Sequence, residues 1–272
     1  MENPVVPSGT PAKGKKAVSS LKNILPTGII YPLATISVIF VIWEIIGQMG
    51  LISPFMFSWP SKIGVETWIF MADGSLFNHL YISGIEMGIG FTMGLIGIPI
   101  GLCLGYWRKL ELSFDPIITA LYTTPIVALT PLFVIWFGFE TLSKIMMVFT
   151  MAIFPIIINT MSGVKTTDAS LIKAARSYGA SQYQLFTEVI LPSTLAFIVT
   201  GIRLAIGRAL IGVVVAEMLA ANKGIGFAIR HASELFRTAE YLGYVGVLMF
   251  SSVLLTQLLK VVERKIAPWR SL

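Results

Sequence analysis

The chain has 272 residues, of which 55% are hydrophobic and 12% charged, and its mean hydropathy is +0.81. This composition excludes an ordinary soluble domain, because too few polar side chains remain to cover its surface, and indicates an integral membrane protein. The formal net charge of +6 comes without an interleaved basic and aromatic pattern, so nucleic acid is not an expected partner.

The chain opens with a Pro-, Ser- and Lys-rich stretch, and we expect residues 1–24 to form a cytoplasmic tail. The next apolar run, of about twenty residues, exceeds the apolar region of a signal peptide, and no small-residue cleavage site follows it. We therefore expect a retained transmembrane helix. Residues 59–71 start with Trp-Pro and are amphipathic, so residues 25–80 are expected to hold this helix and an external interfacial segment.

Apolar runs along the chain predict an all-α, polytopic membrane protein with six transmembrane helices, because about 20 apolar residues cross a hydrocarbon core of about 30 Å. Residues 81–265 are expected to form the core of the helix bundle, and residues 266–272 a cytoplasmic C-terminal tail. The predicted spans are 27–47, 82–106, 117–139, 145–163, 195–220 and 242–262.

The second span is rich in glycine at spacings that let helix backbones approach closely in lipid. Packing within the bundle is the favoured interpretation, and contact with a second copy of the chain is the alternative. Pro125, Pro131 and Pro155 remove backbone hydrogen bonds from the third and fourth spans, which predicts kinks. Thr124 and Asn159 nearby suggest a polar-lined path, and polar contacts between helices fit equally well.

A polar stretch from Lys165 to Pro192 separates two spans, and its local signals predict two short helices. Residues 169–177 are mostly helix formers and follow Asp168, a residue type favoured at an N-cap. Gly179 is placed to end this helix in the left-handed conformation. A second capped segment follows, after which Pro192 allows the next spanning helix to start.

Six positions in this stretch follow the spacing A-A-x3-G-x9-[IV]-x-L-P. The pattern resembles the cytoplasmic EAA loop of permease subunits from bacterial ATP-binding-cassette importers, where the loop docks into the ATPase subunit. The chain departs from the family pattern at its first position, where Lys replaces the usual Glu, so the charge contact there is expected to differ. The coupling residues that the resemblance implies are Lys173, Ala174, Ala175, Gly179, Val189, Leu191 and Pro192.

Ionisable residues inside spans are costly unless they face water or a partner. Arg203 and Arg208 lie in the fifth span, and Glu217 lies near its outer end. Arg203 is near enough to the cytoplasmic face to snorkel, whereas Arg208 lies deeper. Each arginine has an alternative role in an internal ion pair, for example with Glu86 or Glu217. The candidate pathway residues are Arg203, Arg208, Glu217, Thr124 and Asn159.

Residues 216–219 (Ala-Glu-Met-Leu), followed by Gly-Ile-Gly at 224–226, are similar to the nitrate/sulfonate/taurine branch of these permeases. The resemblance implies a type I importer fold in a bacterial inner membrane. It also implies a second permease copy, cytoplasmic ATPase subunits and an external solute-binding protein as partners. The implied solute is a small anion such as a sulfonate, taurine or nitrate, although related branches carry uncharged heterocyclic precursors. ATP hydrolysis would belong to the partner, so the chain itself is not an enzyme.

No cofactor or metal site is expected, since His79 and His231 lie far apart in the sequence. Two other functions stay open. A secondary transporter driven by an ion gradient could use Glu86, Arg208 and Glu217 as a relay, although the inverted repeats common in such folds are not visible. A membrane scaffold could use the loop only to anchor a cytoplasmic protein. An ATPase that co-purifies and is stimulated by a solute would favour the importer.

The distribution of basic residues gives the orientation. Thirteen Lys and Arg residues fall on the side that holds the termini and five on the other, so both termini and the stretch from Lys165 to Pro192 are expected in the cytoplasm.

This topology can be tested with single cysteines in a Cys103→Ser background. Ser181→Cys should react with an impermeant thiol reagent only from the cytoplasmic side, and Lys223→Cys only from outside, because the two positions flank the fifth span. Intact cells and inverted vesicles provide the two orientations. Labelling of Ser181→Cys in intact cells would contradict the six-span topology.

Overall fold

The structure is a computed structural model that describes residues 27–50, 53 and 55–266. Except for Ile266, the tails predicted at 1–24 and 266–272 lie outside these residues. The regular secondary structure of the described part is helical throughout, as the composition predicts. Its α-helices are α1 (Thr27–Gln48), α2 (Pro60–Ala72), α3 (Ser75–Gly94), α4 (Gly97–Tyr106), α5 (Arg108–Thr123), α6 (Thr130–Phe137), α7 (Thr141–Lys165), α8 (Ala169–Ser177), α9 (Gln182–Gln184), α10 (Leu191–Ala220), α11 (Ile225–Glu234) and α12 (Thr238–Ile266).

The third predicted span, 117–139, is not a single helix. Helix α5 ends at Thr123, and a short 3₁₀ helix, Ile126–Leu129, leads into α6 at an angle of 83° to α5. Pro125 lies at the break and keeps the preceding Thr124 in an extended conformation, with φ −64° and ψ 132°. The other five predicted spans correspond to segments long and apolar enough to cross a membrane: Tyr31–Gln48, Ser75–Tyr106, Thr141–Lys165, Gln182–Ala220 and Thr238–Val261.

A glycine-lined seam joins α3 and α4 to α7. A Cβ atom added at any of five glycines would come within 2.7–2.9 Å of an atom of α7, so only a hydrogen fits there. The seam agrees with the expectation that most of these glycines pack within the bundle. Gly84 and Gly88, by contrast, have no described atom within 4 Å of an added Cβ. The seam glycines are Gly90, Gly94, Gly97, Gly101 and Gly105.

The seam also fixes the direction of the helices. Gly90 faces Val148 and Gly105 faces Val164, so α3–α4 and α7 run parallel. Two consecutive parallel crossings require the chain between them to return to the starting side, and residues 107–140 must make that return. The bent α5–α6 pair is therefore a broken span rather than a re-entrant loop. Helix α10 runs antiparallel to α7, because Gly163 contacts Phe197 whereas Gly212 contacts Met151.

Small side chains let α10 pack closely on α7. Ala205, Ala209 and Val213 of α10 are fully buried against Val148 and Ile156 of α7. Dispersion contacts of this kind replace the hydrophobic drive that is missing between helices in lipid. These two helices form the centre of the bundle.

The segment predicted to lie at the external interface is helix α2. Pro60 occupies its first turn, as expected for a helix start. The carboxylate of Glu44 in α1 accepts hydrogen bonds from the Ser61 backbone N–H at 2.9 Å and from the Ser61 hydroxyl at 2.6 Å. Phe70 stacks on Tyr244 of α12 with ring centroids 4.3 Å apart. These contacts fix α2 between α1 and α12.

The close contact at the seam predicts a loss of stability on substitution of one glycine of the α3–α4 span and little change on substitution of another. Gly101→Val should lower the free energy of unfolding by about 1–3 kcal/mol, since its Cβ would lie 2.7 Å from Thr160 Cβ and 2.8 Å from the Ile157 carbonyl oxygen. Gly88→Val, the control, should change it by about 0.5 kcal/mol or less. Thermal unfolding of the purified proteins in detergent measures both. Equal losses would show that the seam is not a close contact.

Candidate coupling site and translocation path

Helix α8 begins as the sequence predicts. The carboxylate of Asp168 accepts a hydrogen bond from the Ser170 backbone N–H at 2.7 Å, which caps the helix. This backbone bond, together with the Ser170 hydroxyl, holds the pKa of Asp168 below its ordinary value. The cap is therefore ionised at neutral pH, and its stabilising effect is lost only as the pH falls through this lowered pKa.

The predicted glycine stop is also confirmed. Gly179 has φ +79°, and its N–H donates to the Arg176 carbonyl at 3.0 Å, while the Ala180 N–H donates to the Ala175 carbonyl at 3.1 Å. This pair of bonds is a Schellman motif, which satisfies the last carbonyl groups of α8. The direction in which the chain leaves α8 therefore depends on a glycine at position 179.

As the sequence predicts, α10 begins next to Pro192, which lies in its first turn, but no break separates α10 from the helical segment before it. Ser181 and Gln184 form a reciprocal capping box at the start of α9. From there, helical structure continues without a break to Ala220, through a π-helical stretch, Leu185–Ile190, directly before Pro192. Proline has no N–H, and the wider π turn accommodates this missing donor. The candidate coupling segment, residues 182–190, is consequently a rigid extension of α10.

Apolar contacts attach this segment to the membrane bundle. Leu185 and Ile190 are buried together with Val164 of α7, and Ala175 and Val189 pack against this cluster. Leu191 is half-buried, and Pro192 is exposed.

Tyr106, at the end of α4, adds a polar contact. Its hydroxyl donates to Gln182 Oε1 at 3.0 Å, and its ring meets the Phe186 ring edge-on with centroids 5.4 Å apart. The segment therefore contacts both α4 and α7.

The opposite face of α8 and the following turn is exposed. Tyr178 is 93% exposed, Tyr183 is 77% exposed and Leu171 is 51% exposed. Lys173 and Ala174 lie on the exposed side as well, and Lys173 forms no ion pair with another described residue. Large apolar side chains exposed on a polar loop are typical of a protein contact surface.

Glu111 was not predicted as an important residue. Its buried carboxylate accepts from Arg108 at 2.7 Å and pairs with Lys165, the last residue of α7, at 2.6 Å. The signal in the sequence was one acidic residue next to the basic pair Arg108-Lys109 at a span end. This contact joins the N-terminal end of α5 to the C-terminal end of α7, directly before α8.

Arg208 lies near the middle of α10 and is half-buried. Its guanidinium carbon is 4.3 Å from the ring centroid of Tyr122, in the last turn of α5. The expected alternative, an ion pair of Arg208 with Glu86 or Glu217, is wrong, because both carboxylates have other partners. Among the described residues, Arg208 has an aromatic face as its neighbour instead of an anion.

The other polar candidates lie in different surroundings. Thr124 is at the break after α5, and its hydroxyl donates to the Ala120 carbonyl at 2.8 Å. Asn159 donates to the Pro155 carbonyl at 2.8 Å and packs against Gly201. Arg203 is half-buried and lies on α10 between Gly201, which Asn159 contacts, and Arg208. Thr124 and Arg208 thus lie close to Tyr122, and Asn159 lies nearer the cytoplasmic half.

Glu217 is placed in a buried network at the outer end of α10. Its carboxylate accepts from the Ser83 hydroxyl at 2.6 Å and from the Gly226 backbone N–H at 2.7 Å. The Ser83 oxygen in turn accepts from the Ile225 N–H at 2.9 Å. The carboxylate therefore lies at the N-terminus of α11, where the helix dipole favours a negative charge. A Cβ atom at Gly224 would collide with this carboxylate.

Glu86 and Lys144 form a second buried contact on the outer side. Glu86 Oε1 lies against Lys144 Nζ, and both side chains are buried. The count of basic loop residues placed Lys144 in an external loop, whereas the structure places it in the first turn of α7 with its side chain 7% exposed. This ion pair joins α3 to α7 at one end of the seam.

The family model described as "Binding-protein-dependent transport system inner membrane component" matches residues 97–270. The chain belongs to this family. Its members are membrane-spanning permease components of transport systems, so the importer rather than the secondary transporter is the class of this chain.

Individual relatives agree. The chain is 37% identical to an aliphatic sulfonates transport permease, SsuC, of Bacillus subtilis, over 86% of each chain. It is 32% identical to the taurine transport system permease TauC of Escherichia coli, over 87% of this chain and 88% of that one. A crystal structure of an amino acid ABC transporter with histidines shares the fold, with a TM-score of 0.59 at 14% identity, over 72% of this chain and 96% of the other.

The buried network predicts a stability role for Glu217. Glu217→Gln should lower the free energy of unfolding by about 1–3 kcal/mol, because the amide turns a donor toward the Ser83 hydroxyl or the Gly226 N–H. Glu234→Gln on the exposed part of α11 is the control and should have little effect. Melting temperatures of the purified proteins measure both. An unchanged melting temperature for Glu217→Gln would show that the network does not stabilise the fold.

Proposed function

We propose that this permease imports a small organic anion of the sulfonate class, and that the exposed face of α8 and its turn is the docking surface for a cytoplasmic ATPase subunit. The observation that carries the docking role is the exposed surface of Leu171, Tyr178 and Tyr183; the first two lie on α8 and its C-cap, and Tyr183 lies on the rigid extension of α10. The residues that support this surface are the implied coupling set, Lys173, Ala174, Ala175, Gly179, Val189, Leu191 and Pro192.

Movement at the docking surface has a direct route into the membrane. Helix α8 follows α7 after three residues, and α10 continues from α9 without a break. A partner that rotates α8 therefore moves the cytoplasmic ends of two long helices together. Lys173, at the position where the family pattern usually has Glu, is available to pair with an acidic group on the ATPase.

The solute class rests on two facts. The relatives named for aliphatic sulfonates and taurine align over most of both chains. A guanidinium group lies near the middle of α10, at a level where an uncharged solute would give it no partner. Arg203, Thr124 and Asn159 are further candidates for the wall of the path. Glu217, which is fully buried in its own network, has a positioning role outside that wall.

The assembly that we propose has two copies of this chain, two ATPase subunits and an external solute-binding protein. In this assembly, both termini and α8 lie on the cytoplasmic side of the membrane. Helices α2 and α11, which lie at the other end of the bundle, are then available to an external binding protein.

Two glycines with the same backbone conformation provide a matched test of coupling. Gly179 and Gly74 both have φ +79° with open space around an added Cβ, but Gly74 lies in the turn before α3 at the opposite end of the bundle. Gly179→Val and Gly74→Val should each cost about 1 kcal/mol or more of backbone strain. Only Gly179→Val should abolish sulfonate-stimulated ATPase activity of the reconstituted complex.

The measurements are ATP hydrolysis and uptake of a radiolabelled alkanesulfonate by proteoliposomes that contain the permease, the ATPase and the loaded binding protein. Normal coupling in Gly179→Val, or equal loss in both variants, would remove α8 as the coupling element. If the unmodified complex takes up an uncharged heterocycle but no sulfonate, the solute class is wrong.

A further inference from the structure

Among the described residues, none accepts a hydrogen bond from the guanidinium of Arg208. It carries five N–H groups in one plane, and the described part of the chain offers it neither a carboxylate nor a hydrogen-bond acceptor. The carboxylates that could approach it are committed elsewhere, Glu86 to Lys144 and Glu217 to Ser83 and the α11 N-terminus. A charge at this depth needs water or an anion beside it.

The ring of Tyr122 lies beside this guanidinium. The guanidinium carbon is 4.3 Å from the ring centroid, within cation–π distance. The ring attracts the charge of the guanidinium but offers it neither a carboxylate nor a carbonyl oxygen. The ring therefore restricts the position of the guanidinium and leaves it without a conventional hydrogen-bond acceptor.

The surroundings of Arg208 on α10 are open. Leu204, one turn earlier on the same face, is 48% exposed, and Gly207, on the neighbouring face, has no described atom within 4 Å of an added Cβ. Tyr122 itself is placed by the break after α5, where Pro125 ends the helix. The broken span thus brings an aromatic ring to the level of the arginine.

From these observations we infer that Arg208 binds the anionic head group of the solute during its passage, and that Tyr122 is the positioning residue that orients the guanidinium for it. The inference rests on the proposed import of a small anion and adds the residues that select it. A sulfonate presents oxygens in the geometry that a guanidinium fork binds in a bidentate manner, and a lysine ammonium cannot reproduce that contact.

A test that does not depend on transport uses a cysteine beside the arginine. Leu204→Cys is combined with Cys103→Ser in the complete permease–ATPase complex in proteoliposomes. Its reaction rate is measured with two thiosulfonate reagents, one carrying a sulfonate and the other a trimethylammonium group. The ratio of the two rates reports the local potential.

The expected result follows from Coulomb's law. Removal of one positive charge about 6 Å away, in surroundings as polar as water, should lower the sulfonate-to-trimethylammonium ratio about tenfold at low salt. Arg208→Gln should therefore show this drop, and Arg208→Lys should keep the ratio. An unreactive Leu204→Cys would place this face in lipid, and an unchanged ratio in Arg208→Gln would show that the charge does not act on the path. Either result overturns the inference.

Uptake measurements separate the role of the guanidinium geometry of Arg208 from that of its charge, and the role of the Tyr122 ring from that of its hydroxyl. Arg208→Lys and Arg208→Gln should both reduce ethanesulfonate uptake about tenfold or more, with ATPase assembly and melting temperature retained. Tyr122→Leu should reduce uptake severalfold, and Tyr122→Phe, which keeps the ring, should restore it. Phe114→Leu, an exposed aromatic two turns earlier on α5, is the control.

Normal uptake in Tyr122→Leu would remove the positioning role. The solute assignment can fail independently: no sulfonate uptake by the unmodified complex, together with the tenfold change in reagent ratio, would contradict the proposed solute and support the placement of Arg208 in an anion-attracting path.

Discussion

The close approach of α3 and α4 to α7, which needs five positions without a side chain, determines the rest of the bundle. With hydrogen in place of Cβ at these glycines, backbone meets backbone and the two segments run parallel. The ion pair of Glu86 with Lys144 then closes one end of the seam. Because loss of one partner leaves an uncompensated buried charge, this contact fixes the register of the seam.

The seam gives α7 a mechanical role. One end of α7 is joined to α3 through Lys144, and the other is joined to α5 through Lys165, three residues before α8 begins. On its second side, α7 packs along α10, which itself continues into the coupling segment. A displacement of α8 would therefore act on two helices that pack closely along their length. The broken α5–α6 span, which bends by 83°, is the candidate site in the described bundle for a hinge movement of one helix against another.

Local signals predicted local structure well. The cap at Asp168 and the stop at Gly179 depend on residues within one or two turns, so their spacing in the sequence was sufficient. The kink expected at Pro125 within 117–139 is confirmed, but the bend of 83° was not predicted, because average hydrophobicity across a span is insensitive to the direction of the chain after a proline. The partners of Lys144 and Arg208 come from other helices, and no local pattern specifies which faces of distant segments meet.

The distribution of charge within the bundle bears on selectivity. The buried carboxylates at 86 and 111 each pair with a cationic side chain, whereas Glu217 is stabilised by hydrogen bonds from Ser83 and the Gly226 N–H. Arg208 has only the quadrupole of Tyr122, which attracts a cation but does not cancel its charge at a distance. Even in surroundings as polar as water, one uncancelled charge acts over several ångströms at low salt. The middle of α10 therefore carries a positive charge, and the solute path that we propose along it would favour anions without a dedicated cavity.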